Sequence, residues 1–353
     1  MTLFKKCIGC GATLNSNKGK IGYIEKYDPQ KQQYCQRCFK LINYNQNTKI
    51  DNISTTINEV INEIKLEKHM VYLVVDALDL LSMNIKEINN ISNLIIIVNK
   101  IDLFSSFKDE KIIKEKMIKN INSINKNYQE IIFTSINNKN SIKDLYSNLL
   151  KYYKQKYKLI FIGKSNSGKS SLINALLKMN KLKPILTTSS FLDTTCFFNK
   201  IKINKISLID TPGFNNNLSY LYLLKNERDN NKIILQKIKH LRNYQIRQRK
   251  TLKIENLFYL DVKNSETKIG TIKLLINDNL KITSHKFGYY KNEEELISFS
   301  NHEVLNKIEF NLNGDNVNIV ISSFGIIACK NIDEINFRAS DTKGIYQLKY
   351  PII

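Results

Sequence analysis

Residues 157–177 read YKLIFIGKSNSGKSSLINALL, and the arrangement of the whole chain can be worked out from this stretch. An apolar run, Leu159–Ile162, ends at Gly163, and the triplet GKS at 168–170 opens a helical pattern. The spacing matches the phosphate-binding motif GxxxxGKS between a strand and a helix. A Gly/Ser turn would explain the glycines alone, but it would not explain a strand and a helix placed where phosphate binding needs them.

A loop of this kind holds a polyphosphate because its glycines let backbone N–H groups and the helix N-terminus approach the charge. Lys169 is expected to reach the β- and γ-phosphates, and the Ser170 hydroxyl is expected to ligate Mg²⁺. The loop residues that we assign to nucleotide binding are Gly163, Asn166, Ser167, Gly168, Lys169, Ser170 and Ser171.

The composition predicts a polyanionic partner. The chain has 353 residues, enough for two or three domains, and 54 Lys and Arg against 32 Asp and Glu give a net charge of +22. Such an excess favours nucleic acid, because each phosphate that a cation neutralises releases counterions. Biased base composition could raise Lys, Asn and Ile together, but it does not obviously leave acidic residues so far behind.

The sequence gives no sign of a membrane or secretory protein. No apolar run approaches the roughly 18 residues that span a bilayer. The opening residues, MTLFKKCIGC, lack the apolar core of a secretory signal, and the cysteine motif that begins at Cys7 leaves no room for a transit peptide. We therefore expect a cytoplasmic protein with no membrane partner.

Two CxxC pairs lie in the first forty residues and predict a metal site. They are Cys7 with Cys10 and Cys35 with Cys38. Each pair can present two thiolates to one tetrahedral ion, and four thiolates complete a structural Zn²⁺ shell. Disulfides would be unusual in a reducing cytosol, and a redox CxxC would not need a second pair. The prediction is a zinc finger over residues 1–46.

Between the finger and the phosphate loop, short β-branched runs alternate with helical patterns, which predicts an α/β fold with a mostly parallel sheet. The run at 94–98 leads directly into Asn99-Lys100-Ile101-Asp102. The Asp102 carboxylate can accept bonds from the guanine N1–H and N2–H₂, a pattern that adenine does not offer. Asn99 and Lys100 would brace this loop. Ser135 and Ile136, after the next strand, would help to hold the base.

Beyond the phosphate loop, the sequence Asp210-Thr211-Pro212-Gly213 ends another predicted strand. Asp210 is expected to hold Mg²⁺ through water, and the Gly213 N–H is expected to contact the γ-phosphate. Thr194 and Thr195 lie between the two motifs, where a mobile threonine should complete the Mg²⁺ shell, and we choose Thr195. With GTP or GDP and Mg²⁺, the candidate catalytic set is Lys169, Ser170, Thr195, Asp210 and Gly213.

The motifs occur in a rotated order. An ordinary GTPase begins with the phosphate loop and reaches the NKxD motif late, whereas here NKID and Ser135 come first. A circular permutation that joins the old termini keeps every contact, because domain termini tolerate relocation. We therefore predict a circularly permuted P-loop GTPase domain over residues 47–225. Its switch after Gly213 leads directly into the next domain.

A permuted GTPase behind a four-cysteine finger resembles the bacterial YqeH family of small-ribosomal-subunit assembly GTPases, and the resemblance covers most of the chain. The segments that carry it are CIGCGATL, YCQRCFKLINYN, VVDALDLLSM and TLKIENLFYLDV. It implies GTP-dependent maturation of the small subunit, with that subunit or its precursor and its rRNA as partners and no DNA.

The resemblance also implies how hydrolysis would proceed. Asn166 occupies a position that helps to coordinate K⁺ in related GTPases, and Phe214 stands where Ras-like enzymes place a catalytic Gln. We therefore expect slow, K⁺-stimulated hydrolysis. The chain departs from the family pattern at Leu192-Asp193 in the first switch, at Glu255-Asn256 and at Ile136.

The last third, residues 226–353, is predicted to hold a basic helix and a β-rich domain that binds RNA. Residues 232–250 crowd basic side chains around an intermittent apolar stripe, and this segment would either grip RNA or be a solvated basic helix. The candidate RNA contacts are Arg242, Tyr244, Arg247, Arg249 and Lys250. Strands are expected near 254–262, 271–276, 317–321 and 326–329.

The sequence predicts a GTPase switch in ribosome assembly. The alternative is a nucleotide-gated RNA-binding scaffold with little turnover, in which Asp193 spoils the switch. A GTPase that serves membranes or signalling is the third possibility, and the finger and the charge argue against it.

Overall fold

The structure is a computed structural model. It describes residues 5–28, 30–31, 33–44, 60–62, 68–83, 86–105, 107, 109–186, 198–214, 238, 240–264, 268–290, 305–322, 324–339 and 341–353.

A six-stranded sheet forms the centre of the first part of the molecule, in the order β3-β2-β1-β4-β6-β5. Its strands are β1 (His69–Asp76), β2 (Leu94–Asn99), β3 (Glu130–Thr134), β4 (Lys158–Gly163), β5 (Asn199–Ile203) and β6 (Ile206–Asp210). All neighbours pair in parallel except β5 and β6, which form an antiparallel hairpin. The predicted α/β fold is confirmed.

The central strands read as unbroken apolar runs because both faces of the sheet are covered. Every residue of β1 and of β2 is buried. One core joins these strands to the helix after the phosphate loop and to the helix before it, through side chains such as Tyr72, Phe161, Leu145 and Leu172. The Tyr72 and Phe161 rings stack with their centroids 5.1 Å apart. This packing fixes the strand ends that carry the motifs.

Five helices have described bounds: α1 (Gln36–Tyr44), α2 (Lys86–Asn89), α3 (Glu110–Ile124), α4 (Lys139–Lys154) and α5 (Lys169–Met179). Short 3-10 turns cover Leu80–Met83 and Ile101–Phe104. The Asn138 side chain caps α4 by accepting bonds from the backbone N–H groups of Asn140 and Ser141. Of the amphipathic helix expected around 53–64, only residues 60–62 are described, and they are helical.

The junction of the circular permutation is short. Helix α4 ends at Lys154 and strand β4 begins at Lys158. The connection turns at Lys156, whose φ of 64° lies in the left-handed region. A few residues therefore suffice to connect the helix after β3 to the strand of the phosphate loop, and the sheet between them keeps its pairing.

The C-terminal part is a β-sandwich. One sheet has the order β16-β13-β14-β10-β7 and the other β11-β8-β9-β15-β12. The strands are β7 (Arg242–Ile246), β8 (Arg249–Ile254), β9 (Phe258–Lys263), β10 (Gly270–Leu275), β11 (Ile282–His285), β12 (Asn306–Asn311), β13 (Val317–Ile321), β14 (Gly325–Lys330), β15 (Glu334–Ala339) and β16 (Ile345–Gln347). Alternate residues of both sheets enter one shared core. The predicted β-rich domain is confirmed.

Two predictions for this part are wrong. Over its described residues, the basic segment 232–250 is not a helix, because Arg242–Ile246 and Arg249–Ile254 are strands. In the first of these strands exposure alternates with period two, which pairs it with β10 and buries Ile246. The single strand expected near 254–262 is a hairpin that turns at Glu255, whose φ is 44°. A glycine at this position would adopt the left-handed backbone without the strain that a side chain brings.

The chain divides into two compact units. The first comprises Met1–Asp102 with Ile124–Asn215, and the second comprises Leu103–Ser123 with Asn216–Ile353. Most of α3 therefore belongs to the second unit, where the Asn120 side chain donates to Tyr350 O at 2.7 Å and accepts from Tyr350 N at 3.1 Å. The domain limits at 46 and 225 stay predictions. No helix in the described part of the chain is long and apolar enough to cross a membrane.

Candidate nucleotide site and zinc centre

The phosphate loop takes the conformation that its glycines predict. Gly168 has a φ of 88° at the start of α5, and Asn166 has a φ of 67°. A Cβ at Gly168 would lie 2.3 Å from the Asn99 amide nitrogen, and one at Gly163 would lie 2.6 Å from the Val74 carbonyl oxygen. Both positions need glycine because neighbouring strand ends pack against the loop.

The residues that we expect to hold Mg²⁺, Ser170 and Asp210, lie next to each other beside this loop. Lys169 Nζ lies 2.8 Å from Asp210 Oδ1, and Ser170 Oγ lies 3.4 Å from Asp210 Oδ2. All three residues are buried. Ser170 and Asp210 can therefore present a hydroxyl and a carboxylate to one Mg²⁺, with Lys169 within reach of the phosphates. Lys169 faces Asp210 here, so it must move when a nucleotide and its metal ion arrive.

The DTPG motif is attached to the phosphate loop through its backbone. Ser165 N donates to Phe214 O at 3.1 Å, and Phe214 N donates to Gly163 O at 3.2 Å. A Cβ at Gly213 would lie 2.7 Å from Ser165 Oγ, so only glycine fits this close approach. Gly213 therefore lies beside the loop that would hold the phosphates, as the sequence predicts. The side chain of Phe214 is buried.

The NKID motif is fastened to the phosphate loop from the other side. Asn99 Nδ2 donates to Ser167 O at 3.0 Å, and its amide oxygen accepts from Thr134 Oγ1 at 3.2 Å. Lys100 Nζ donates to Asn166 O at 2.9 Å. Asn99 and Lys100 are thus hydrogen-bonded to the phosphate loop, and their role toward the base stays a prediction.

The side chains expected around the base lie together at the ends of β2 and β3. Asp102 is only half-buried, and its Oδ2 accepts from Asn137 Nδ2 at 2.9 Å. Ser135 is buried, and its Oγ accepts from Asn137 N at 3.0 Å. The Ile136 side chain is 51% exposed. The Asp102 carboxylate is thus held in place but remains accessible to a guanine edge.

Sequence reasoning missed four residues around this site. Asp76 Oδ2 accepts from Lys100 Nζ at 2.6 Å, and Asp79 Oδ2 lies 3.1 Å from Lys164 Nζ. Asn137 is the fourth, through its bond to Asp102. The sequence signal for Asp76 and Asp79 is the Asp-x-x-Asp spacing at the end of β1. Asp76 contacts the NKID loop through Lys100, and Asp79 contacts the phosphate loop through Lys164.

The mobile threonine of the first switch lies outside the described residues. This holds for Thr195, our choice, for Thr194, and for the unusual Leu192-Asp193 before them. Ser171, in the first turn of α5, is half-buried, and Asn166 lies at the tip of the loop. Their roles, like those of the other site residues, stay predictions.

The four cysteines of the finger form one buried cluster. The sulfur atoms of Cys7, Cys10, Cys35 and Cys38 all lie within 4.8 Å of one another. Cys10 Sγ and Cys35 Sγ are 3.9 Å apart, close to the spacing of about 3.8 Å that two thiolates keep on tetrahedral Zn²⁺. None of the four is in a disulfide. The donor set and its spacing fit Zn²⁺.

Backbone and side-chain donors favour the thiolate form of Cys7. Cys35 N donates to Cys7 Sγ at 3.2 Å. The pKa of the Cys7 thiol is well below its ordinary value because the Cys10 thiol, followed by those of Cys35 and Cys38, donates to it. Of the two remaining cysteines, Cys329 is buried in the sandwich core, and Cys196 lies outside the described residues.

Comparison with known proteins agrees with this geometry. The RsgA GTPase family matches residues 78–220. The uncharacterized protein YqeH of Bacillus subtilis is 28% identical over 271 residues, which cover 74% of this chain and 72% of that protein. The probable GTP-binding protein EngB of Campylobacter jejuni is 45% identical over 60 residues, 15% of this chain and 30% of its own. EngB of Rickettsia bellii is 28% identical over 119 residues, 33% of this chain and 50% of its own.

The phosphate loop, the guanine motif and the DTPG motif come together from a permuted chain order, beside a four-cysteine cluster. The same motif types bind GTP and Mg²⁺ and hydrolyse GTP in P-loop GTPases. The chain is a YqeH-like circularly permuted GTPase, with a four-cysteine zinc-binding site at its N-terminus and a β-rich domain at its C-terminus.

Proposed function

We propose that this GTPase is a nucleotide-gated switch in the assembly of the small ribosomal subunit, where it binds the subunit or its precursor through rRNA. The observation that carries the proposal is the combination of a guanine-nucleotide site with a net charge of +22. A ribosomal precursor is a polyanion that a protein with this cation excess would bind in a salt-dependent way. Such a partner would place the protein in the cytoplasm.

The gate in this proposal is the link between Gly213 and the phosphate loop. The Gly213 N–H would contact the γ-phosphate while Phe214 stays bonded to Gly163 and Ser165. Loss of the γ-phosphate removes one of these anchors, and the chain leads from Phe214 directly into the C-terminal segment. Hydrolysis would therefore change the grip on the partner through the connecting segment.

Hydrolysis in this proposal is slow and stimulated by K⁺. Phe214 is buried and carries no polar group that could orient the attacking water, so position 214 does not supply the role of the Ras-like Gln. A K⁺ ion near Asn166 would supply positive charge beside the phosphates. The test is phosphate release in K⁺ and in Na⁺ at equal ionic strength, and equal rates would overturn this part of the proposal.

The proposal as a whole is tested by co-sedimentation with purified small ribosomal subunits at one fixed salt concentration. Binding is compared with a non-hydrolysable GTP analogue, with GDP and without nucleotide. We expect the analogue to strengthen binding. A matched control is Gly213→Ala, whose Cβ would clash with Ser165 and which should bind with the same strength in all three states.

One feature favours the scaffold alternative, in which the protein binds GTP and RNA with little turnover. Asp193 adds negative charge beside the expected position of the phosphates. Multiple-turnover phosphate release separates the two functions. If the wild type releases no more than one phosphate per molecule and Asp193→Gly restores turnover, the scaffold function is correct.

A further inference from the structure

The outer face of the sheet that contains β8 and β9 carries opposed cations. Arg249 and Lys263 face each other across the two strands, and Glu334 on β15 is the next residue in the same row. Lys263 Nζ donates to Glu334 at 2.6 Å, which lowers the pKa of that carboxyl group. Like charges directly opposite each other destabilise a strand pair. This row of three described residues holds two cations and one carboxylate, so it carries a net positive charge that a bound anion would stabilise.

Phe287 lies over these two cations. Its ring centroid is 5.8 Å from the Arg249 guanidinium carbon and 5.8 Å from Lys263 Nζ. The Phe287 side chain is 36% exposed. A partly exposed apolar ring with two cations close to it offers a stacking surface for a base next to positive charge for a phosphate.

Hydrogen bonds from the two residues Gly288 and Tyr290 hold the loop that carries Phe287 against the sheet. Gly288 N donates to Thr251 Oγ1 at 3.0 Å, and Thr251 Oγ1 donates to the buried Asp261 carboxylate at 2.6 Å. The Tyr290 hydroxyl also donates to Asp261. A buried carboxylate is costly unless it is hydrogen-bonded, and Asp261 accepts from Thr251 on β8 and from Tyr290 on the Phe287 loop.

Further cations lie at the neighbouring end of the sandwich. Asn264 N donates to Gln248 O at 2.7 Å, which ties the β9–β10 loop to the β7–β8 turn. Arg247 and Lys268 are exposed on these two connections. We name the group Arg247, Arg249, Lys263, Lys268 and Phe287 the Phe287 surface.

Two of the side chains that the sequence predicts to contact RNA are already engaged in contacts within the sandwich. The Arg242 guanidinium donates to the carbonyl oxygens of Leu280, at 2.6 Å, and of Asn277. Tyr244 packs against the sandwich core. Of the other three candidates, Arg247 and Arg249 belong to the Phe287 surface and Lys250 is exposed beside it, whereas Phe287, Lys263 and Lys268 were not singled out by the sequence.

We propose that the Phe287 surface binds single-stranded RNA, with a base stacked on Phe287 and backbone phosphates held by Arg249, Lys263 and the two neighbouring cations. The source of this RNA, a segment of ribosomal precursor RNA, rests on the proposed function. The chemistry favours RNA over an acidic protein because an exposed ring beside paired cations matches alternating bases and phosphates.

The test is the affinity of the full chain for a fluorescent uridine-rich oligoribonucleotide of about 12 nucleotides, a length within the usual range of single-strand sites. We expect Phe287→Ala to weaken binding by about 5- to 150-fold, the usual effect of removing one stacking ring. Arg249→Gln and Lys263→Gln should each reduce the slope of log affinity against log salt by about 0.7.

The matched controls lie on α4 in the first unit. Tyr153 is also 36% exposed, so Tyr153→Ala removes an equally exposed ring, and Lys143→Gln with Lys154→Gln removes two exposed cations. These variants should bind the oligonucleotide like the wild type. Phe287→Ala should keep the wild-type circular dichroism spectrum and thermal unfolding profile, which shows that the sandwich is folded. If Phe287→Ala is folded and binds the oligonucleotide as tightly as the wild type, the proposal is wrong.

A second variant tests whether the position of the Phe287 ring matters, as well as the ring itself. Tyr290→Phe keeps Phe287 but removes the hydroxyl that donates to Asp261. We expect a loss of RNA affinity smaller than that of Phe287→Ala, together with an unchanged salt slope, because the cations are intact. A changed slope with unchanged affinity would contradict this role.

Ribosome binding by the same variants distinguishes the two proposals. If Phe287→Ala weakens oligonucleotide binding but the wild type does not bind small subunits, the RNA-binding proposal is supported and the proposed function is wrong. If Phe287→Ala weakens subunit binding but leaves the oligonucleotide unaffected, the surface contacts a ribosomal protein and the RNA proposal is overturned.

Discussion

The phosphate end and the base end of the nucleotide site are built differently. At the phosphate end, buried lysines face buried carboxylates, Lys169 with Asp210 and Lys164 with Asp79. At the base end, the Asp102 carboxylate is half-buried and is held by the side chain of Asn137. The phosphate end therefore has charges that stabilise each other, whereas the base end displays a carboxylate to solvent.

This difference separates stability from specificity. Removing one partner of a buried ion pair costs about 3–5 kcal/mol, because the other charge stays buried. An accessible carboxylate can be changed at little cost to the fold. We therefore expect changes at the phosphate end to alter both folding and hydrolysis, and changes at the base end to alter nucleotide choice alone.

The zinc site is the extreme case in this comparison. Its buried thiolates have no protein group of opposite charge within the cluster, so they depend on the metal ion. Chelation of Zn²⁺ should unfold the finger, since such ions contribute about 10 kcal/mol or more to the folding of small domains. The affinity for GTP should change little. Circular dichroism and GTP titration before and after chelation check this, and a finger that keeps its fold without metal would contradict it.

Lys169→Met should have the largest effect within the nucleotide site. It removes the cation that faces Asp210 and would later hold the phosphates, so we expect hydrolysis to fall by at least about 100-fold. The free energy of unfolding should fall by about 3–5 kcal/mol. Steady-state phosphate release and denaturant unfolding measure both. The exposed Lys143→Met is the matched control, and an active Lys169→Met would refute the assignment.

The pair Lys164–Asp79 should affect stability more than chemistry. Asp79→Leu alone and Lys164→Met alone should each cost about 3–5 kcal/mol of unfolding free energy, and the double variant with both changes should cost less than either. Neither residue is expected to touch the nucleotide, so hydrolysis per folded molecule should stay within a few-fold of the wild type. Additive costs in the two single variants and their double would show that the ion pair does not couple.

Asn137→Ala should have the smallest effect. It removes one solvent-accessible hydrogen bond to Asp102, which predicts about a two- to threefold loss of GTP affinity and no change in stability. Fluorescent-nucleotide titration measures the affinity. A loss as large as that of a missing Asp102 would mean that Asn137 binds the nucleotide itself.

The parts of the site that the sequence predicts correctly are those where the backbone decides. Gly168 and Gly213 lie where another residue would clash, so their spacing carries the geometry with it. The strand ends that bring Asp102 and Asp210 to one edge follow from the parallel sheet. The permuted order changes the connections and leaves these positions intact.

The parts that the sequence misses depend on tertiary partners. Nothing local says that Asp79 will meet Lys164, 85 residues away in the chain. The sequence of residues 232–250, with basic side chains around an intermittent apolar stripe, predicts a helix. Residues Arg242–Ile246 are a strand instead, because they pair with β10. Phe287 becomes notable only when Arg249 and Lys263 are seen beside it.

The central claim, that the rotated motifs form one guanine-specific catalytic site, is tested most directly by Asp102→Asn with GTP, ATP and xanthosine triphosphate. Xanthine has an oxygen where guanine has its amino group, so an amide at 102 can donate where the carboxylate accepted. We expect the wild type to release phosphate from GTP and not from the other two, and the variant to prefer xanthosine triphosphate. If both proteins use the three nucleotides alike, Asp102 does not read the base and the account is wrong.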